Sequence, residues 1–247
     1  AVVALGIFVA HLATLTVLCA TGALVVAQDP SLLAANWAVP SSRGLSHALF
    51  FGFAAAMLGI SGFESSANFI EEQKSGVFPK TLRNMWIAVT IFNPLISLLS
   101  LGLLPLAEIE QVPPDLLARM GDRSAGPWLR YAVSVDAVLV LSGAVLTSYV
   151  GVTGLVRRMG LDRCLPQFLL RENRWRGTNH WIILLFLGVC CAILASTRGR
   201  VSLLAGVYTL SFLSVMALFA VGNLLLKVRR ARLPRDHRAS WTTVTVA

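Results

Sequence analysis

Glu64 is the residue whose position most directly implies chemistry. It follows Gly59-Ile60-Ser61-Gly62-Phe63 and precedes Ser65-Ser66. The run Gly44–Phe63 before it carries no formal charge, and the next charged residues are Glu71 and Glu72. Glu64 therefore falls well inside an apolar span. A carboxylate near the bilayer centre costs about 2.5–3.5 kcal/mol on insertion scales. Each glycine weakens a helix by about 1 kcal/mol relative to alanine. A membrane helix that is weakened and charged at one place marks a site, because irregular backbone at that depth lines a cavity or is buried in protein. Two roles stand open for Glu64. It is a proton-coupling carboxylate, or a structural acceptor that ties the broken helix to backbone amides or a neighbouring polar group.

Three other groups bear on chemistry. His11 is the only histidine well inside a span; imidazole titrates near neutral pH and can relay protons, although a packing role is the plainer account. Asp136 follows Trp128, Arg130 and Tyr131, which mark a membrane interface, so it reads as a helix-start carboxylate rather than a solute contact. Ala144, Thr147 and Ser148 form A-x-x-T-S. That spacing puts one carbonyl and two hydroxyls on one helix face, and oxygen ligands suit a hard cation. Hydroxyl bonding back to the helix is the simpler account of the same residues. Cys19, Cys164, Cys190 and Cys191 show no metal spacing and read as packing residues.

The elements that must position these groups are membrane helices. The chain has 247 residues, is 56% hydrophobic and only 13% charged, with mean hydropathy +0.72. This is a polytopic membrane composition, not that of a soluble domain. Uncharged runs long enough to span are Ala1–Gln28, Gly44–Phe63, Asn84–Ala107, Ala137–Val156, Gly177–Thr197 and Val201–Leu226. They predict an all-α protein with six transmembrane helices, at about 2–27, 45–73 (broken near 59–66), 83–104, 128–159, 181–196 and 203–228. Residues 1–247 form a single transmembrane domain, with a basic tail over 229–247. The proline of Asn93-Pro94 kinks the third helix. Glu108–Pro127, with Pro113-Pro114, reads as the longest loop on its side.

The net charge of +9 is topogenic. Loops assigned to one side carry 15 Lys/Arg, against 6 on the other. The positive-inside rule places the richer side, and both chain ends, in the cytoplasm. The lipid bilayer is thus the partner of this charge pattern, and nucleic acid is not. The chain has no initiator Met and no charged stretch ahead of its first apolar run, which reads as a fragment of a longer protein.

Three segments carry a resemblance. GFESSANFIEEQKSGVFPKTLRN, with Gly62-Phe63-Glu64-Ser65, Glu71-Glu72, Lys74, Pro79 and Lys80, resembles the sixth helix and following loop of the amino acid–polyamine–organocation (APC) transporter superfamily. GLVRRMGLDRCLP, Gly154–Pro166, resembles the end of that family's eighth helix. LLLKVRRARLPR resembles the end of the tenth. The three occur in the family's order, so the chain is similar to helices five to ten of such a permease. Helices one to four of the same protein are the missing partner.

The resemblance implies part of a five-helix inverted-repeat fold of the leucine-transporter type. It implies a secondary transporter of amino acids or related organic amines, working by alternating access and coupled to H+ or Na+, with no other cofactor. Freed carbonyls of the broken helix, here around Leu58, Ser61 and Gly62, would face a substrate ammonium, in keeping with helix-end dipoles. Many amino-acid members place a gating aromatic four residues before the motif glycine. Leu58 stands there instead, and Phe63, Phe53 or Phe51 are the aromatics nearby. Some relatives use a lysine in helix five in place of a sodium ion, and the first span here has none. The expected location is the plasma (cell inner) membrane.

An enzyme is the alternative class. Glu71-Glu72 is similar to the EExxxR element of glutamate-type intramembrane proteases, but the sixth position is Gly76, and no serine or cysteine has a base beside it in sequence. A non-transporting sensor or scaffold on the same fold is the third class.

Overall fold

The computed structural model describes residues 2–40, 44–56, 59, 62–63, 73–111, 115–229 and 240–242. The helices are α1 (Val2–Gln28), α2 (Ser31–Trp37), α3 (Leu45–Ala56), α4 (Val77–Leu103), α5 (Leu106–Gln111), α6 (Leu116–Ala125), α7 (Pro127–Leu161), α8 (His180–Thr197) and α9 (Val201–Arg229). A 3-10 turn covers Gln167–Leu170. No strand occurs among the described residues. The chain is an all-α polytopic membrane protein: α1, α4, α7, α8 and α9 are each long and apolar enough to cross a bilayer. Of the second expected span, α3 is described as 12 residues. Of the stretch from Met57 to Glu72, which holds the break, only Gly59, Gly62 and Phe63 are among the described residues.

The chain forms two compact units, 1–189 and 190–247, divided within α8. In the first unit α1 packs against α4, α6 and α7, while α2 lies on α4. Its core gathers Leu18 and Cys19 of α1, Leu99 and Leu103 of α4, the adjacent Leu104, Ala118 and Met120 of α6, and Leu129 and Val133 of α7. These positions lie in the C-terminal halves of α1 and α4 and at the start of α7, so the core sits at one end of the bundle. Side chains such as Leu139 and Leu146 of α7 are exposed, as expected of helices that face lipid.

Close helix approach rests on small residues. A Cβ at Gly102 would come within 2.5 Å of a Val26 methyl, and one at Gly22 within 3.2 Å of Leu103. Asn36 of α2 serves the end of α4: its side-chain amide donates to the carbonyls of Leu101 at 2.8 Å and Leu104 at 2.9 Å. Such terminal carbonyls have no intrahelical donor.

Two segments differ from the sequence expectation for physical reasons. Helix α4 begins at Val77 rather than near Arg83, because Pro79 falls in the first turn, where its missing N–H costs nothing. It also runs on past Pro94 to Leu103. The segment read as an outer loop folds into α5 and α6, with Ala118, Met120 and Gly121 buried. Gly126, at φ 88°, turns the chain from α6 into α7.

At the other end of α7 the connector is folded back. Gln167 Nε2 donates to the Gly160 carbonyl at 2.7 Å, and Asn179 Nδ2 to that of Leu170 at 3.1 Å. In the second unit, Arg198 (φ 51°) and Gly199 (φ 66°) make the turn into α9, and the Gly199 amide donates to the Leu194 carbonyl at 3.1 Å. Phe212 is buried there, and Lys227 Nζ lies 4.5 Å from the centre of the Trp241 ring.

Candidate functional site

His11 is the tenth residue of α1, and Asp136 is the tenth residue of α7. At 1.5 Å per residue each lies about 14 Å from the start of its helix. The two helices run antiparallel, with Leu18 and Cys19 of α1 clustered with Leu129 and Val133 of α7, and His11 and Asp136 meet across them. His11 Nδ1 and Asp136 Oδ2 are 2.7 Å apart. With the carboxylate ionised, Nδ1–H donates to Oδ2. The Asp136 side chain is 9% exposed and that of His11 31%. Asp136 Oδ1 is buried and has no hydrogen-bond partner among the described residues. Asp136 is therefore not a helix-start carboxylate: it is the tenth residue of a 35-residue helix, buried and paired across the α1–α7 interface. Ionisable groups at such depth pair with one another.

Two clefts adjoin this pair. One, of about 440 Å³, lies between α1 and α4; Phe8, His11 and Leu12 face Thr81, Asn84, Met85 and Asn93 across it. The other, of about 500 Å³, lies among α1, α6 and α7. It is lined by His11, Asp115, Ser134 and Asp136, with apolar side chains around them. Asp115 also lies 3.8 Å from Arg119, which in turn meets Glu108 at 3.3 Å.

The glycine-rich break reaches the first of these clefts. Asn93 Nδ2 donates to the carbonyl of Gly59 at 2.8 Å. A Cβ at Gly59 would stand 2.5 Å from that nitrogen, so glycine is what lets the two segments approach. Gly62 has φ 109°, a conformation L side chains rarely adopt. The backbone at Gly62 is therefore not α-helical. Phe63 is half-buried. Leu58, Ser61 and Glu64 lie outside the described residues.

The A-x-x-T-S group is on α7, two to three turns beyond Asp136. Thr147 Oγ1 donates to the Gly143 carbonyl and Ser148 Oγ to the Ala144 carbonyl, each at 2.9 Å, and both side chains are exposed. The structure does not bring these residues to His11 or Asp136. The two residues that sequence reasoning passed over are Asp136 as the partner of His11, and Asn93. The signal for the first was present: each is an ionisable residue within a long apolar helix, and such residues seek partners.

Comparison with protein families gives a match to the family model described as "Amino acid permease" over residues 1–247. The chain belongs to that family, in agreement with the APC resemblance of its motifs. Comparison with curated proteins and with solved structures gives no match.

Proposed function

We propose that this amino acid permease chain carries amino acids or related organic amines across the plasma membrane by alternating access, driven by a proton gradient. Family membership points to a transporter rather than an enzyme. The observation that carries the finer reading is the non-helical backbone at Gly62, with Gly59 held by Asn93 beside a cleft of about 440 Å³. Interrupted membrane helices of this kind expose carbonyls to a solute ammonium, and glycine lets the solute approach the main chain. Carbonyls around Leu58, Ser61 and Gly62, with Phe63 beside them, form this half of the binding site. Helices one to four, by the resemblance, supply the amides for the carboxylate. Both ends of the chain are cytoplasmic, following the distribution of Lys and Arg.

Glu64 and His11 are the two groups put forward for proton coupling, because each places a titratable side chain inside a span. The test uses the full-length protein in proteoliposomes, with a radiolabelled mixture of the protein amino acids. Uptake should rise with an inward proton gradient and be lost in Gly62→Val, whose branched side chain cannot adopt the φ of 109°. No uptake by the parent protein under any gradient overturns the transport reading. For Glu64, the Glu64→Gln variant should lose the pH dependence of uptake; unchanged pH dependence removes that role.

A further inference from the structure

We propose that His11 and Asp136 together form a one-proton site reached from two clefts; this rests on the transport reading above and assigns Asp136 a role in it. Three observations carry the assignment. The Nδ1–Oδ2 distance is 2.7 Å, so the two groups act as one unit. Asp136 Oδ1 is buried and unpartnered among the described residues, in a side chain that is 9% exposed. His11 lines both clefts. One cleft leads from His11 to Thr81, in the first turns of α4, and the other leads from the pair to Asp115, at the start of α6. Since α6 packs at the far end of α4, the second cleft has one limb toward that end, and its other limb runs past Asp136 to Leu141.

The proton count is simple. Empty, the pair is a neutral imidazole donating Nδ1–H to a carboxylate, with a net charge of −1. One added proton makes it neutral. A proton taken up at Nε2 from the α4 cleft gives imidazolium and carboxylate. Passing the Nδ1 proton to Oδ2 converts this to imidazole and carboxylic acid with no change in total protons. Release is from Nε2 into the α4 cleft, or from the carboxyl group into the α6 cleft. The empty pair leaves an uncompensated charge in a low-dielectric interior, which is costly, and loading removes it. Proton occupancy therefore biases how α1 and α7 pack.

Few other charges face the pair. Among the described residues, the α4 cleft residues are the uncharged Thr81, Asn84 and Asn93; from α6 there is Asp115, itself near Arg119; the other ionisable side chain of α1, Cys19, lines neither cleft. A second acid beside the α6 cleft favours proton arrival there.

The deciding experiment measures solute-driven proton movement, with a pH-sensitive dye, in proteoliposomes of the full-length protein in sodium-free buffer. His11→Gln keeps an amide able to donate to Asp136 but cannot titrate. It should abolish proton movement and the pH dependence of uptake. Exchange of labelled for unlabelled amino acids without a gradient should persist. Asp136→Asn should behave alike. If Asp136→Asn does not fold, His11→Gln decides alone, because its position is one-third exposed. Uptake with unchanged proton movement in His11→Gln overturns the site, as does a parent that takes up amino acids without moving protons. A parent that takes up amino acids only when sodium is added overturns the site alone, and one with no uptake with or without sodium removes the transport reading, and the site with it.

Discussion

The side-chain amide of Asn93 donates to the carbonyl of Gly59 at 2.8 Å, and any Cβ at Gly59 would stand 2.5 Å from that same nitrogen. The bond and the absence of a side chain thus depend on each other. Asn93 precedes Pro94 in the middle of α4, and its contact reaches back across 34 residues to the glycine-rich segment. A break in a membrane helix needs its loosened carbonyls satisfied, and Asn93 satisfies one of them.

A double-mutant cycle follows from that dependence. Gly59→Ala should force Asn93 to turn away, and Asn93→Ala should leave the Gly59 carbonyl without its donor. Each should cost about 1–3 kcal/mol in the thermal stability of the detergent-purified protein and reduce uptake. The double variant should cost little more than either single one, because all three remove the same interaction. Losses that simply add would show that Gly59 and Asn93 act independently.

Met120 tests whether α6 is part of the bundle or a strap lying on it. Its side chain is fully buried, and it sits in one cluster with Leu18, Leu104 and Leu129. Met120→Ala should therefore cost about 2–5 kcal/mol, the range for truncating a buried methionine. Leu218→Ala, at an exposed position on α9, is the control and should change stability by less than about 0.5 kcal/mol in detergent. Equal small effects at both positions would mean that α6 does not hold α1, α4 and α7 together.

Five of the six expected membrane helices have a counterpart long and apolar enough to span, because an uncharged run of about 20 residues has few other uses. Helix α8 was expected at 181–196 and occurs at His180–Thr197. Helix α7 was expected at 128–159 and occurs at Pro127–Leu161. What the sequence concealed was anything fixed by packing. Helix α6 holds Arg119, Asp122 and Arg123 and follows Pro113-Pro114, so by composition it resembles a loop; its burial depends on Leu129 and Leu18, which lie elsewhere in the chain. Asp136 was assigned to a helix start because the aromatic and arginine residues nearby suggested an interface. The helix in fact begins at Pro127, and the partner of Asp136 is 125 residues away. Gly62 was the opposite case. A left-handed φ is a local demand that glycine alone meets cheaply, and the glycine was visible in the sequence.

The hydroxyls of α7 offer a last test, between sodium and proton coupling. Thr147 and Ser148 each donate to a carbonyl one turn back in their own helix. This is the ordinary way in which such residues are satisfied in apolar helices. Their oxygens keep lone pairs, so a cation would need further ligands from elsewhere. Thr147→Ala and Ser148→Ala should therefore leave amino acid uptake within about twofold of the parent, the scale of an ordinary exposed substitution. Exchanging sodium for potassium should leave it unchanged. A parent that requires sodium, with the requirement weakened in Thr147→Ala, would instead make this face of α7 a cation site and shift the coupling away from His11 and Asp136.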